Sequence, residues 1–422
     1  MNVHVPIETE VLDNGLKVVY SEDHTAPIVA VNLWYHVGSA NERPGRTGFA
    51  HLFEHMLFQG SAHVAANEHF ELIQRAGGTA NGSTWLDRTN YYETLPSNYL
   101  ALALWLEADR MGALLPAMTQ EKLDTQREVV KNERRWSVDN QPYGTWWEKL
   151  PALCFPPWHP FHHSLIGSME DLSAASLDDV VEFFRTYYTP DNAVLTIAGD
   201  FEIATASRLL SEYFGPIPRG SGKPPLPPLE LPQRFGEWRR EVVEDSVAVA
   251  KLFLAFRSPV FGSDEYLAAE LCAMLLGKGR SSLLHRTLVR ERQVALAATA
   301  FTFGLAKGAD LLVVEATARP GVSGASLESE VVAVVDELRS GLLEEELEKV
   351  RAMEETSFAV DLESAAERAD QLSRYATYLG DPHLINSYLP SLHATSVERV
   401  ATFARERLGP DNRVSLIYVP RD

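Results

Sequence analysis

Apolar positions along this chain follow two periods. Over residues 11–20, apolar stretches flank Asn14-Gly15, a dipeptide whose tolerance of positive φ suits a tight hairpin turn. The run Val29-Ala-Val-Asn-Leu-Trp-Tyr-His-Val37 reads as a strand. Helical spacing follows over 48–58, 68–75, 99–115 and 120–136. The second half opens alike, with an apolar strand over 247–256 and helices after it. Strands and helices mix without strict strand–helix–strand alternation, which predicts an α+β fold.

The pattern is also written twice. Ser176, Val180, Phe183, Arg185, Pro190, Asp191 and Asn192 recur 220 residues later as Ser396, Val400, Phe403, Arg405, Pro410, Asp411 and Asn412. Each copy reads as a helix with a serine N-cap, a Pro-Asp-Asn turn and then a strand. Such a register match predicts duplicated domains. Proline is dense from Gly215 to Pro232, where neither a helix nor a central strand can continue. The expected layout is therefore a domain over 1–214, an extended linker over 215–237 and a second domain over 238–422, each long enough to bury its own core.

Charge narrows the function. Lys and Arg number 38 against 58 Asp and Glu, a net charge of −20. That field repels phosphate backbones and argues against nucleic acid as a partner, while an acidic surface or cavity would attract basic peptides. No run of apolar residues is long enough for a membrane-spanning helix. Two cysteines, Cys154 and Cys272, are too few for a disulfide framework or a thiolate zinc cluster, and buried thiols are expected. The first thirty residues carry neither a basic start nor an apolar core of a secretory signal, so a cytoplasmic location is expected, or a periplasmic one after processing.

One motif carries chemistry. His51-Leu-Phe-Glu54-His55 places two imidazoles one helical turn apart on one face, where both reach a single ion. Zinc suits such a site, and Glu54 stands beside that face, where it can take a proton from a metal-activated water. A third ligand must arrive through tertiary structure. The acidic helix over 120–136 offers Glu121, Asp124, Glu128 and Glu133, and spacing does not choose among them. His159, His162 and His163 read as a polar loop, Trp146 and Trp147 as packing residues, and Gly277–Ser282 as the turn ending a helix.

The inverted His-x-x-Glu-His order resembles the zinc peptidases of the pitrilysin, insulinase and mitochondrial processing peptidase group. The likeness extends through Gly48–Ser61, Gly77-Gly-Thr-Ala-Asn-Gly82, Asp87-x-Thr89-x-Tyr91, Arg127–Arg135, Asn140–Gly144 and Ile166–Leu172. It implies two tandem homologous α/β-sandwich domains with mostly antiparallel sheets, the first catalytic and zinc-binding, the second not. It implies His51, His55 and Glu133 as zinc ligands and Glu54 as general base. Asn81 and Gly82 then fall on an edge strand that an extended peptide could join. Members close in pairs around a chamber, which implies a partner subunit for a two-domain chain.

Two positions depart from the family pattern. Gln126 stands where an assisting glutamate is common. Arg290 matches a substrate-gripping arginine, but Leu296 takes the place of the tyrosine that accompanies it and has no hydroxyl to donate. The first departure bears on how strongly a zinc-bound water is activated; the second suggests a heterodimer in which an unlike subunit supplies the tyrosine, a homodimer being the other arrangement. The expected activity is zinc-dependent hydrolysis of peptides or short unfolded segments. The competing expectation is a structural or assembly subunit of the same fold, against which the intact His51, Glu54, His55 and Glu133 set speaks.

Overall fold

The Asn14-Gly15 turn reverses the chain between β1 (Glu8–Val11) and β2 (Lys17–Glu22), with Gly15 at φ +91°. Asn14 Nδ2 donates to the carbonyls of Phe214 and Ile217, at 2.8 and 3.0 Å, so this turn also anchors the far end of the first domain's chain. The computed structural model describes residues 3–222, 226 and 229–421. Within the proline-rich 215–237 stretch, residues 223–225, 227 and 228 lie outside the described residues.

Six strands form the first sheet, in the order β1-β2-β6-β3-β5-β4, with β3 (Ile28–Tyr35), β4 (Thr79–Thr84), β5 (Thr89–Pro96) and β6 (Ala193–Gly199). Only β2 and β6 run parallel; the other pairs are antiparallel. One face packs against α1 (Phe49–Met56), α2 (Glu68–Arg75), α3 (Leu100–Ala113) and α4 (Gln120–Arg134), together with helices Leu177–Tyr187 and Ile203–Tyr213, around one apolar core. The other face is covered by helix Ala365–Tyr378, whose Ala369 meets Ala30 and Ala198. Burial on both faces explains why β3 and β6 read as near-continuous apolar runs.

That second interface has a polar seam. Asp370 Oδ1 accepts from Asn32 Nδ2, Trp34 Nε1 and Asn90 Nδ2, at 3.1, 3.0 and 3.2 Å. Ser373 Oγ donates to Thr196 Oγ1 at 2.8 Å. The buried Asn32, unexpected inside an apolar strand, is satisfied by this seam and by Asn90.

Five strands form the second sheet, in the order β7-β11-β8-β10-β9: β7 (Glu237–Asp245), β8 (Lys251–Ser258), β9 (Ala295–Thr302), β10 (Asp310–Ala318) and β11 (Asn412–Pro420). Its one parallel pair, β7 with β11, repeats the β2–β6 pairing. The duplicated asparagines do the same job twice. Asn192 Nδ2 donates to the carbonyls of Tyr187 and His36, and Asn412 Nδ2 to those of Arg407 and Arg257. Each joins a helix end to the end of its sheet's antiparallel central strand. The structure is thus a mixed α+β fold built twice.

The compact units cross the halves that the repeat suggests. One unit lies within Met1–Arg134, His163–Leu226 and Ser357–Ser387, the other within Arg135–His162, Pro227–Thr356 and Tyr388–Asp422. A repeat records the order of motifs along the chain, whereas compactness records where apolar faces are covered, and here each unit borrows helical segments from the opposite half. Among the described residues, no helix is long and apolar enough to cross a membrane.

Candidate metal centre

The helix carrying the motif is short, and its start is held by its surroundings. Gly48 precedes α1 at φ +79°, and a Cβ there would stand 2.3 Å from the Ile166 carbonyl oxygen, so a side chain is excluded. The fully buried Glu42 carboxylate accepts from the backbone N–H groups of Gly48 and Ala50, at 3.0 and 2.8 Å, which answers the unpaired donors and positive end of the helix. His163 Nε2 stands 3.0 Å from the same carboxylate. His163 thus supports the motif helix, a role that its neighbours in sequence do not suggest.

Leu52, Phe53 and Met56 are fully buried and fix the rotation of α1. Phe53 packs its ring against Phe183, Phe184 and Tyr188. The opposite stripe, His51, Glu54 and His55, is left partly exposed, and α4 brings Glu133 and the buried Gln126 to it. Of the four acidic candidates on α4, Glu133 is the one that arrives.

His51 Nε2 lies 3.7 Å from Glu133 Oε1, and His55 Nε2 lies 3.3 Å from Glu133 Oε2. Ligand atoms around a tetrahedral zinc, with bonds of about 2.0–2.2 Å, stand roughly 3.4 Å apart. The three side chains therefore fit one ion between them, with a further position open. The protonation of His51 and Glu133 suits ligation as well. Burial pushes His51 down to about 4, so its ring is neutral and offers a lone pair. The hydrogen bond with His55 holds Glu133 below the usual carboxylate range, and the Glu133 carboxylate raises His55 against the effect of burial. Gln126 adds a side-chain hydrogen bond to His55, so an amide orients the ring.

Glu54 stands outside this ligand set and faces β4. Its Oε2 accepts from Thr84 Oγ1 at 2.5 Å, and its Oε1 lies 3.1 Å from where a Cβ on Gly82 would be. Burial raises the Glu54 carboxyl, opposed by the Thr84 hydrogen bond.

The comparisons with known proteins concern this same arrangement. Residues 17–151, which hold His51, Glu54, His55 and Glu133, match the family described as Insulinase (Peptidase family M16). Residues 174–354 match the Peptidase M16 inactive domain. A Helicobacter pylori protein named zinc protease PqqE is 30% identical over 371 residues, covering 87% of this chain and 83% of that protein.

The chain belongs to the M16 peptidase family.

A solved structure of a protease from Helicobacter pylori superposes with a TM-score of 0.92 at 27% identity, covering 99% of this chain and 100% of the other. The periplasmic protease PqqL from Escherichia coli shares the fold at 19% identity and a TM-score of 0.76, over 99% of this chain and 48% of its own. The inactive-domain match leaves the ligand set outside it, and the mostly buried, largely apolar helix Tyr266–Gly277 in the matched segment contributes no residue to a metal-ligand cluster among the described residues.

The other positions that the sequence likeness singled out divide between the units. Asn81 and Gly82 lie on β4, which among the described residues pairs with β5 alone and so presents one unpaired edge. Asn81 is exposed, and its Oδ1 accepts from the Gly82 N–H at 2.9 Å. Arg290 is exposed on a π-helical turn of the second unit, and Leu296 is 52% exposed on edge strand β9. Cys154 and Cys272 are buried thiols, and Trp146 stacks on Phe253.

A second cluster, His69, Glu93 and Glu107, also has metal-ligand spacing and is buried throughout. A cation already occupies it. Arg110 pairs with Glu107, approaches Glu93 at 3.9 Å and lies over the Tyr91 ring at 4.1 Å. Two carboxyl groups beside one guanidinium retain one proton between them, and burial pushes Glu107 up from 4.5 to about 8. Because folding raises this pKa, the associated stability is full below 4.5 and is lost as pH climbs through about 8. Glu107→Gln should therefore flatten the alkaline fall of the melting temperature between about pH 5 and pH 8.5, read by circular dichroism. An unchanged slope would place the proton elsewhere.

Proposed function

We propose that this chain is the metal-bearing subunit of a zinc-dependent endopeptidase acting on peptides or short unfolded segments. The observation that carries this reading is the convergence of His51, His55 and Glu133 at ligand spacing, with Glu54 beside them and free of the set. Zinc held by those three residues would polarise a peptide carbonyl and ease deprotonation of water. An extended peptide would pair with the unpaired edge of β4, the Asn81 amide oxygen yielding the Gly82 N–H. Glu54, through the oxygen not held by Thr84, takes a proton from the attacking water and passes it to the leaving nitrogen as the C–N bond breaks. Burial raises the Glu54 carboxyl, the direction that favours a group able to take up a proton.

The closed chamber would need a second subunit. PqqL, with about twice this chain's length at the same fold, supports the idea that one such chain is half of an enclosing unit. Leu296, lacking a hydroxyl, supports an unlike partner that contributes the missing donor.

The test is cleavage of an unfolded peptide mixture, read by mass spectrometry, with and without a co-purified partner. Expected is cleavage that a zinc chelator abolishes and that requires the partner. Full activity of the chain alone would remove the heterodimer, and no cleavage in any combination would remove the peptidase.

A further inference from the structure

Strand β4 does more than offer an edge. Its residues alternate between faces, so Gly82 and Thr84 point toward α1 while Asn81 and Ser83 point away. Thr84 is 8% exposed, and its hydroxyl donates its single proton to Glu54 Oε2 at 2.5 Å. Gly82 leaves room for the other oxygen, Oε1, since a Cβ there would crowd both Glu54 Oε1 and Phe58, each at 3.1 Å. One oxygen of the base is thus committed to the strand, and the other is left for chemistry.

The opposite face of the strand is locked. Ser83 Oγ donates to Asn90 Oδ1 at 2.7 Å, and Arg88 Nη1 donates to the Ser83 carbonyl and to Asn90 Oδ1, both at 3.0 Å. Asn90 Nδ2 in turn donates to Asp370 Oδ1 on helix Ala365–Tyr378. The neighbouring Ser83, Arg88 and Asn90, tied in turn to the distant Asp370, therefore fix the backbone beside Thr84.

We infer that Thr84 is a positioning residue for Glu54, aiming the base from the strand that receives the peptide. This rests on the peptidase reading above. A hydroxyl bound to one carboxylate oxygen fixes the torsion of the group, and a base misdirected by about 1 Å costs on the order of 100-fold in rate. Peptide docking and base alignment would share one rigid element.

The test compares Thr84→Val, which keeps the shape and removes the hydroxyl, with Thr84→Ser, which restores it, in the assembly that cleaves peptide. Expected for the valine variant is a fall in kcat of about 10- to 100-fold with KM within about threefold, and recovery to within about threefold in the serine variant. Zinc content and the affinity of the metal-free protein for peptide should match the unsubstituted chain in both. Should valine disturb folding, Thr84→Ala replaces it and must show the same kcat loss. Unchanged kcat without the hydroxyl, failure of serine to recover it, or loss of zinc would each overturn the inference while leaving the peptidase standing. A parent protein that cleaves nothing would overturn both.

Discussion

Glu54→Gln should leave the protein folded and zinc-loaded and lower kcat by about 100- to 10,000-fold. The amide has the shape of the carboxylate and still accepts the Thr84 hydroxyl, so α1 and β4 keep their contact. What it loses is the ability to hold a proton between water and the leaving nitrogen. Because Glu54 lies outside the ligand set, metal content should not follow activity down. Single-turnover kinetics beside metal analysis reads both quantities. Loss of zinc in this variant would make Glu54 a ligand and require a different base.

His55→Ala should have the opposite signature, with zinc content and cleavage lost together. Three protein ligands are the minimum of an open catalytic zinc site, and His55 faces Glu133 at 3.3 Å. The fold should persist, because the buried face of α1 is Phe49, Ala50, Leu52, Phe53 and Met56 and does not include His55. Metal analysis with circular dichroism separates loss of ion from loss of structure. Chelation of the unsubstituted chain should reproduce the loss of cleavage, and added zinc should reverse it. A His55→Ala protein that keeps zinc would place the ion elsewhere.

What could be read from the chain alone follows from how local each determinant is. Asn14-Gly15 forms its hairpin, and Ser176 and Ser396 cap their helices, because those signals act within a few residues. Helix α2 falls on the anticipated 68–75, and α4 ends two residues short of 136 where its geometry changes. His51, Glu54 and His55 share one face by helical spacing alone. Glu133 could not be chosen by spacing over Glu121, Asp124 or Glu128, since only the packing of α4 against α1 decides it. The family likeness supplied that choice.

Long-range partners left weaker traces. Thr79-Ala-Asn-Gly-Ser-Thr84 lacks the β-branched alternation of a strand, and β4 forms because β5 and its polar network hold it. His163 reads as part of a histidine cluster until the fold brings it to Glu42, 121 positions away in sequence. Nothing in Ala365–Tyr378 marks it for the first sheet, where Asp370 collects three donors. Such residues serve a site through neighbours that are remote in the chain, and their pattern follows the surface they meet.

The most direct test of the whole account is anomalous diffraction at the zinc edge from crystals grown with zinc. A single strong peak enclosed by His51 Nε2, His55 Nε2 and the Glu133 carboxylate is the predicted result. Those three side chains turned apart, or a peak lying only at other residues, would contradict it.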